Sequence, residues 1–324
     1  MTICDRLFFA TGDITVYDDQ GTQCIYFNKD MIRDKGLDNP YDLVYNNKWT
    51  IDTMYEMCRE VSVPDGDGVM NMSGDDTWGF VGVAFDTYNL IIASNCPQIE
   101  RDTNGDPVIA ITNERNVNAF NKIRSFMTDK SCVAYLEHYY MWNDYDNNHA
   151  VKDHFYNGKA LYLCDLISAV GSEKMADVTF NYGVVPTPKY DEDQEHYVDG
   201  VDPYRFFSVS IPKVADIDLD KTTFVLEAMA YLSEKDVTPV YYELTLKNKR
   251  FGANDDDAPK MLDIIFQNRC VDLSVIFNWN DCIQYYNQLL TDNQGVLSFM
   301  ESKGAGMQTA MDACIAEMRE YTNE

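Results

Sequence analysis

Asp165 is the residue whose chemistry and predicted position agree best in this sequence. The run 160–163 is apolar and of strand length, so segment 164–168 falls at the carboxyl end of a predicted strand. Ligands of open α/β sheets bind at that end of the strands. A carboxylate there can accept hydrogen bonds from two hydroxyl groups, and Asp165 is therefore a candidate for binding a hydroxyl-rich ligand such as a sugar.

A second group of candidate ligand-binding side chains lies between residues 135 and 154. This stretch is rich in Tyr, Trp, Asp and Asn and has Y-Y-M-W-N-D-Y, which contains Trp142, at its centre. Such a mixed aromatic and amide surface suits a sugar cleft, but it also suits a helix packed beneath a loop. His138, His149 and His154 lie here too, without the spacing of a metal-binding motif.

The acidic loop P-D-G-D-G-V-M-N has part of the pattern of a calcium-binding loop. Asp65, Asp67 and Asn71 stand at the spacing of calcium ligands. The first ligand position, however, holds Val63, and the twelfth holds Gly74 where a bidentate acid belongs. An acidic turn without a metal accounts better for this loop.

The elements around Asp165 are predicted to be a strand, a loop, a short helix and a second strand. Residues 172–177 can form a helical turn, and 182–185 is a short apolar run that Pro186 and Pro188 end, because proline cannot donate to a sheet. Further strands are predicted at 7–10, 24–27 and 78–85, and helices at 47–60, 113–127, 222–233, 237–247, 258–268 and 304–320. The predicted N-caps are Thr50, Asn113 and either Asp256 or Asp257.

Composition narrows the class of protein. The 324 residues include 45% hydrophobic residues, enough for one large core or two smaller ones. A formal net charge of −27 repels phosphate backbones and anionic lipids, so nucleic acid is not an expected partner.

The sequence has no apolar run long enough to span a bilayer and does not begin with a signal peptide pattern. Its nine cysteines are scattered, without a C-x-x-C pair, which favours buried free thiols over a zinc site or a disulfide framework.

Motifs along nearly the whole chain are similar to those of one protein family. The Asp165 strand is preceded by N-G-K-A and followed by G-V-V-P-T-P, and later segments include V-T-P-V-Y-Y-E-L-T-L-K-N-K-R-F, D-D-D-A-P-K-M-L-D-I-I-F and N-R-C-V-D-L-S-V-I-F-N-W. Earlier segments, in the order of the family, are G-D-I-T, F-N-K-D, N-K-W-T and D-D-T-W-G-F. The chain resembles the extracellular solute-binding proteins of bacterial ABC importers, of the carbohydrate-binding, maltose-binding-protein-like type.

The resemblance implies an α/β, two-lobe fold of the type II periplasmic-binding-protein kind. Residues 1–15 and 206–250 are expected in lobe one, and 16–205 and 251–324 in lobe two. In the family, segments like R-L-F-F-A-T-G-D-I-T follow the elements that open lobe one, so the expectation is a nearly complete second lobe and a truncated first lobe. Family members are exported, usually lipid-anchored through an N-terminal cysteine, and deliver solute to the membrane subunits of the transporter.

The resemblance also implies ligand-binding residues. Asp13 is similar to a position that points a polar side chain at the ligand, and Tyr88 to an aromatic that stacks on a sugar ring. Tyr204 and Arg205 fall near the expected crossing between lobes, and Trp279 is a second candidate platform in a predicted loop. Asp13 serves equally well as a turn carboxylate, Arg205 as a structural partner of an acid, and Tyr88 as one of 22 tyrosines that mostly pack or face solvent.

The expected function is sugar binding without chemistry and without a cofactor. No G-x-S-x-G, phosphate-binding loop or dinucleotide motif is present. A glycoside-processing enzyme is the alternative, since it also uses acids and aromatics, but it needs two carboxyl groups at a set separation. A non-functional truncated remnant is the other alternative.

Overall fold

A mixed sheet lies at the centre of the molecule. The computed structural model describes residues 2–3, 6–103, 105–139, 150–212, 217–243 and 255–323. Its strands are β1 Thr2–Ile3, β2 Arg6–Leu7, β3 Gln23–Asn28, β4 Trp78–Gly82, β5 Ile99–Arg101, β6 Pro107–Ile109, β7 Val133–Tyr135, β8 Ala160–Leu166, β9 Tyr182–Val185, β10 Asp199–Gly200 and β11 Arg269–Cys270. Its α-helices are α1 Tyr17–Gln20, α2 Lys29–Lys35, α3 Pro40–Tyr45, α4 Ile51–Val61, α5 Asp86–Ala93, α6 Glu114–Met127, α7 Leu136–Tyr139, α8 Ala150–Tyr156, α9 Glu173–Ala176, α10 Leu219–Asp236, α11 Thr238–Val240, α12 Ala258–Gln267, α13 Leu273–Phe277, α14 Tyr285–Thr291 and α15 Val296–Asn323. Within these described residues, two 3-10 helices span Ile167–Gly171 and Trp279–Gln284.

The directions of the strands bring several strand ends together at one edge of this sheet. The order is β7-β4-β8-β3-β9, with β4 parallel to β7 and β8, and β3 antiparallel to β8 and β9. Cys24 therefore faces Asp165, and Gln23 faces Leu166. The carboxyl ends of β4, β7, β8 and β9 meet the start of β3 at one edge, which we call the carboxyl edge.

The sheet is buried because its strands are apolar on both faces. All six residues of β3 and all five of β4 are buried, which suits strands covered by helices on both sides. Gly79 lets α4 approach β4 directly, since a Cβ on Gly79 would lie 2.4 Å from Cα of Cys58. A glycine here is therefore a packing requirement.

Local sequence signals predicted several of these elements. Thr50 and Asn113 cap α4 and α6 as expected, accepting the backbone N–H groups of Thr53 and Asn116. The predicted strands 24–27, 160–163 and 182–185 are confirmed as parts of β3, β8 and β9. Asp257, one of the two predicted caps of α12, holds the N-cap position, but its side chain makes no capping hydrogen bond. Asp255 instead accepts the backbone N–H groups of residues 257 and 258.

Two predicted strand boundaries are corrected. The strand predicted at 78–85 ends at Gly82, because the carboxylate of Asp86 accepts the N–H of Val83 and starts a helix. The strand predicted at 7–10 is reduced to β2 and a single bridge between Ala10 and Val209. The helix predicted at 237–247 is confirmed within the described residues, where α11 is followed directly by the π-helical residues 241–243.

Helix α10 is unusual because its apolar residues face solvent. Large side chains that are more than half exposed are Leu219, Phe224, Val225, Met229, Tyr231 and Leu232. Beside the helix lies an apolar groove of about 580 Å³, lined by residues of segments 7–14 and 209–211 and by α10. An apolar helix in water is normally covered on at least one side.

Two further features concern predictions made from the sequence, namely membrane-spanning segments and the state of the cysteines. No helix among the described residues is long and apolar enough to cross a membrane. The eight cysteines in the described part of the chain are free, and the prediction of buried free thiols is confirmed for six of them, whereas Cys270 and Cys314 are half-buried. Burial raises the pKa of thiols such as Cys58 and Cys164 well above the ordinary value, so they pack as small apolar groups.

Candidate functional site

Asp165 and Lys152 form an ion pair at the carboxyl edge. Asp165 is the penultimate residue of β8, and Lys152 lies on α8, which packs against β8 and β4. Nζ of Lys152 donates to Oδ2 of Asp165 at 2.8 Å, and the N–H of Leu166 donates to Oδ1 at 2.8 Å. The two side chains are 19% and 16% exposed, so the pair is supported by the protein but still reaches solvent.

Two further acids approach Lys152 from neighbouring strand ends. Asp86 follows β4, and its Oδ2 accepts the N–H of Val83 at 2.8 Å. Glu137 follows β7, and its Oε2 accepts the N–H of Ala84 at 2.7 Å. Each acid thus closes the turn after a strand, and the sheet brings both toward the same ammonium group.

A loop that follows β10 completes this edge. Oδ1 of Asp202 accepts the N–H of Tyr204 at 2.8 Å, and the N–H of Asp202 donates to the carbonyl of Gly21 at 2.9 Å. Arg205 packs against Gly21, where an added Cβ would lie 2.8 Å from Cβ of Arg205. The Tyr204 ring is 68% exposed, and its hydroxyl accepts from Nε2 of Gln284 at 3.4 Å.

Burial and opposite charge set the protonation of this cluster. Burial disfavours the charge on Lys152, but the carboxylates of Asp165 and Asp86 outweigh it and raise the pKa of the ammonium. Burial raises the pKa of Asp86 to about 7 and also raises the pKa values of Glu137 and Asp202. Lys152 is therefore held in its charged form, whereas Asp86, Glu137 and Asp202 resist ionisation.

The arrangement offers polar groups beside an aromatic surface. Asp165 can accept and Lys152 can donate hydrogen bonds to ligand hydroxyls. The rings of Tyr204 and Phe85 lie 6.1 Å apart and could together contact an apolar ligand face. Asp165, Tyr204 and Arg205, all predicted from the sequence, are thus brought to one edge of the sheet.

Tyr88 and Trp279 lie elsewhere than the sequence predicted. Tyr88 is 1% exposed and packs between Phe85 and Tyr286, with ring centroids 5.2 Å and 5.5 Å away. Trp279 is buried and stacks on Phe277 at 5.1 Å, in a 3-10 helix and not in an open loop. Neither ring presents a free face, because the helices that carry them pack on the core.

The other predicted site residues fall outside the edge cluster. Asp13 accepts a hydrogen bond from Oγ1 of Thr238 at 3.3 Å and lines a separate cavity. Trp142 lies outside the described residues. The sequence analysis did not single out Lys152, Asp86 or Glu137. Asp86 could have been found, because it follows the predicted strand 78–85 and so lies at the end of a strand, as Asp165 does.

The acidic loop satisfies its carboxylates with its own backbone. Asp65 accepts the N–H groups of Asp67 and Asp75, and Asp76 accepts those of Asp65 and Asn71. Among the described residues, no group of three or more His, Cys, Asp or Glu side chains is placed to hold a metal ion. These contacts favour an acidic turn, with Asp65, Asp67 and Asn71 as turn-forming residues.

Comparison with solved structures assigns the fold. No protein-family model matches the sequence, and no curated protein sequence matches it. The structure does match those of ABC-transporter substrate-binding proteins, and the chain has their α/β fold, as the sequence motifs predicted.

Three of these structures illustrate the likeness. An ABC substrate-binding protein from Listeria monocytogenes, in complex with cycloalternan, is 13% identical with a TM-score of 0.58, over 96% of this chain and 73% of that one. The maltose/maltodextrin-binding domain MalE from Bdellovibrio bacteriovorus, bound to maltotriose, is 13% identical with a TM-score of 0.57, over 96% and 74%. UgpB from Mycobacterium tuberculosis, in complex with glycerophosphocholine, is 16% identical with a TM-score of 0.56, over 90% and 68%.

Proposed function

We propose that this chain is the extracellular solute-binding subunit of an ABC importer and binds a mono- or oligosaccharide without altering it. The observation that carries the proposal is the partly exposed Asp165–Lys152 pair beside the exposed ring of Tyr204, at the carboxyl edge of the sheet. Support also comes from the fold, which is shared with proteins solved in complex with maltotriose and cycloalternan. The expected partners are the membrane subunits of the importer, and the expected location is the cell surface.

We assign residues 1–15 and 206–250 to one lobe and 16–205 and 251–324 to the other. This division is supported by the bridge between Ala10 and Val209, which joins the two parts of the first lobe beside α10. The central sheet lies entirely between Gln23 and Val185, within the second lobe. The ligand lies between the lobes, against the carboxyl edge.

Each residue of the edge has a role in this proposal. Asp165 accepts and Lys152 donates hydrogen bonds to sugar hydroxyls, and Tyr204 stacks on the ring. Arg205 holds the loop of Tyr204 against Gly21 and adds a donor at the rim. Asp13, from the first lobe, remains a predicted contact.

The proposed binding involves no reaction. Asp165 is neutralised by Lys152, and Asp86 is only 2% exposed and does not reach a ligand. A glycosidase needs two carboxyl groups that both reach the scissile bond. The acids of this edge instead accept hydrogen bonds from backbone N–H groups and, in the case of Asp165, from Lys152.

Calorimetric titration with maltotriose, maltotetraose and cycloalternan tests whether the protein binds sugar. Mass spectrometry of the sugars after incubation tests whether the protein alters them. We expect saturable binding and unchanged sugar masses. Asp165→Asn should weaken binding by about 1–3 kcal/mol, because it removes a charged hydrogen-bond acceptor. Asp34→Asn, on the exposed surface of α2, should bind like the parent protein. Cleavage products, or no binding by any sugar of a wider glycan panel, would overturn the proposal.

A further inference from the structure

Helix α10 has two apolar faces, and only one of them borders the groove beside it. The side chains of the groove face lie three or four residues apart and are Leu219, Thr223, Leu226 and Ala230. The other face, which we call the outer face of α10, has the same spacing and consists of Phe224, Val225, Ala228, Tyr231 and Leu232. It is therefore one continuous apolar stripe along the helix.

The outer face is open to solvent. Its large side chains are exposed by 73% at Phe224, 61% at Tyr231, 55% at Leu232 and 53% at Val225. Two aromatic rings and two branched aliphatic side chains thus lie together on the surface. A contiguous apolar patch of this kind is typical of a surface that binds another molecule.

A row of acids runs along one side of the outer face. Asp220, Glu227 and Glu234 are seven residues apart and therefore lie on one line of the helix surface, beside the two aromatic rings. None of these three forms an ion pair with another described residue, and Lys221 of the same helix instead pairs with Asp218 at 2.7 Å. Helix α10 carries four acids against two lysines, so the row is not balanced by its own helix.

The apolar stripe and the acidic row together indicate what covers this face. A helix whose apolar stripe is flanked by lysine or arginine would bury the rings and pair with the acids. A second copy of this chain offers no counter-charge. In an antiparallel pair of α10 helices the acids would face acids, and in a parallel pair they would face Val225 and Leu232. The net charge of −27 also repels a second copy and anionic lipid.

We propose that the outer face of α10 is a docking site for an amphipathic helix with basic flanks, supplied by another protein. Phe224 and Tyr231 pack into the apolar stripe of that helix, and Asp220, Glu227 and Glu234 pair with its basic residues. The proposal does not rest on sugar binding, because α10 contributes no residue to the carboxyl edge.

Fluorescence anisotropy with a labelled synthetic peptide tests the proposal. The probe is as long as α10 and has leucines at spacings of three and four residues with lysines at the flanking positions. The matched probe has glutamate in place of lysine. We expect saturable binding of the lysine peptide that weakens as sodium chloride rises, and at least about tenfold weaker binding of the glutamate peptide. No saturation by the lysine peptide, or equal affinity for both peptides, would overturn the proposal.

Two variants locate the binding on α10. Phe224→Ser removes an aromatic side chain and should weaken the lysine peptide about tenfold. Glu227→Lys reverses one charge of the acidic row and should weaken it about two- to tenfold. Glu60→Lys, on the exposed end of α4, changes the net charge equally and should bind within about twofold of the parent. If both α10 variants keep their circular dichroism spectrum and bind as the parent does, the proposal fails.

Sedimentation experiments test the two other occupants of this face. We expect the protein to remain monomeric at micromolar concentration and not to cosediment with vesicles that contain phosphatidylglycerol. A dimer that Phe224→Ser abolishes would show that the outer face binds a second copy. Vesicle binding that the same variant abolishes would show that it binds a membrane. Either result would overturn the proposal.

Discussion

The ammonium group of Lys152 supplies the counter-charge for the acids at the carboxyl edge. It lies close to Asp165 and Asp86, which would otherwise be carboxyl groups held away from water without a counter-charge. Removing one partner of such a group costs more than the pair contributes, because the other partner stays behind unpaired. Lys152 is thus a structural residue as well as a proposed ligand contact.

Lys152→Met should lower the free energy of unfolding by about 1–3 kcal/mol, since Asp165 and Asp86 lose their cation. Urea denaturation followed by circular dichroism measures the change. The matched control is Lys174→Met, which breaks an exposed pair with Asp153 and should cost no more than about 0.5 kcal/mol. Equal losses in both variants would contradict this account of the edge.

Asp199 should make the protein less stable as pH rises. Burial raises its pKa to about 7, and its Oδ2 is buried without a partner among the described residues, while Oδ1 accepts the N–H of Thr187. The folded state therefore holds a proton that the unfolded state has released, so stability is highest below the unfolded pKa and falls as pH rises through about 7.

Thermal unfolding between pH 5 and pH 8 measures this effect, with a limiting slope of about 1.4 kcal/mol per pH unit from one such group. Asp199→Asn keeps the acceptor for Thr187 and should flatten the profile. Asp86 has a raised pKa as well and should leave a residual slope in that variant. An unchanged profile in Asp199→Asn would show that Asp199 is not protonated in the folded protein.

At the scale of elements, the contact between α4 and β4 depends on the missing side chain of Gly79. An added methyl group would lie 2.4 Å from both Cα and Cβ of Cys58 and 2.6 Å from its carbonyl oxygen. Backbone atoms cannot rotate away from such a clash, so the helix must shift. The glycine thereby sets the distance between the helix and the sheet.

Gly79→Ala should destabilise the protein by about 1–3 kcal/mol through overpacking. Gly66→Ala is the control, since nothing lies within 4 Å of its added Cβ, and it should change stability by less than about 0.5 kcal/mol. Chemical denaturation of both variants compares the two sites. A harmless Gly79→Ala would mean that the packing of α4 is looser than the structure indicates.

At the scale of the whole molecule, burial is uneven. The central sheet and its helices form one continuous apolar core, whereas α10 carries large apolar side chains in contact with solvent. Phe224 is 73% exposed, while Phe120 is 1% exposed and stacks on Tyr286. The free energy of burial is therefore concentrated in the central sheet and the helices packed on it.

Phe224→Ser should leave stability within about 0.5 kcal/mol of the parent and reduce binding of an apolar fluorescent dye, because an exposed ring is removed. Phe120→Ala should instead cost about 3–5 kcal/mol, as a buried ring leaves a cavity. Dye fluorescence and thermal melting compare the variants. A large loss of stability in Phe224→Ser would show that α10 is covered in solution.

The sequence by itself determined the elements whose signals are local. The cap at Thr50, the apolar run before Asp165 and the prolines after β9 each act within a few residues, and each prediction held. The family motifs likewise predicted the fold, since they preserve the order of the elements. Asp165 could be named because its position depends on a single strand.

Only the tertiary structure decided which side chains meet. Lys152 and Asp165 are 13 residues apart, and Asp202 lies near them on another loop. No local sequence spacing therefore predicts the cluster. Tyr88 and Trp279 have the residue type of a sugar platform, but packing against Phe85, Tyr286 and Phe277 removed their free faces. Residue type states what a side chain can do, whereas burial and the direction of each strand decide whether a ligand can reach it.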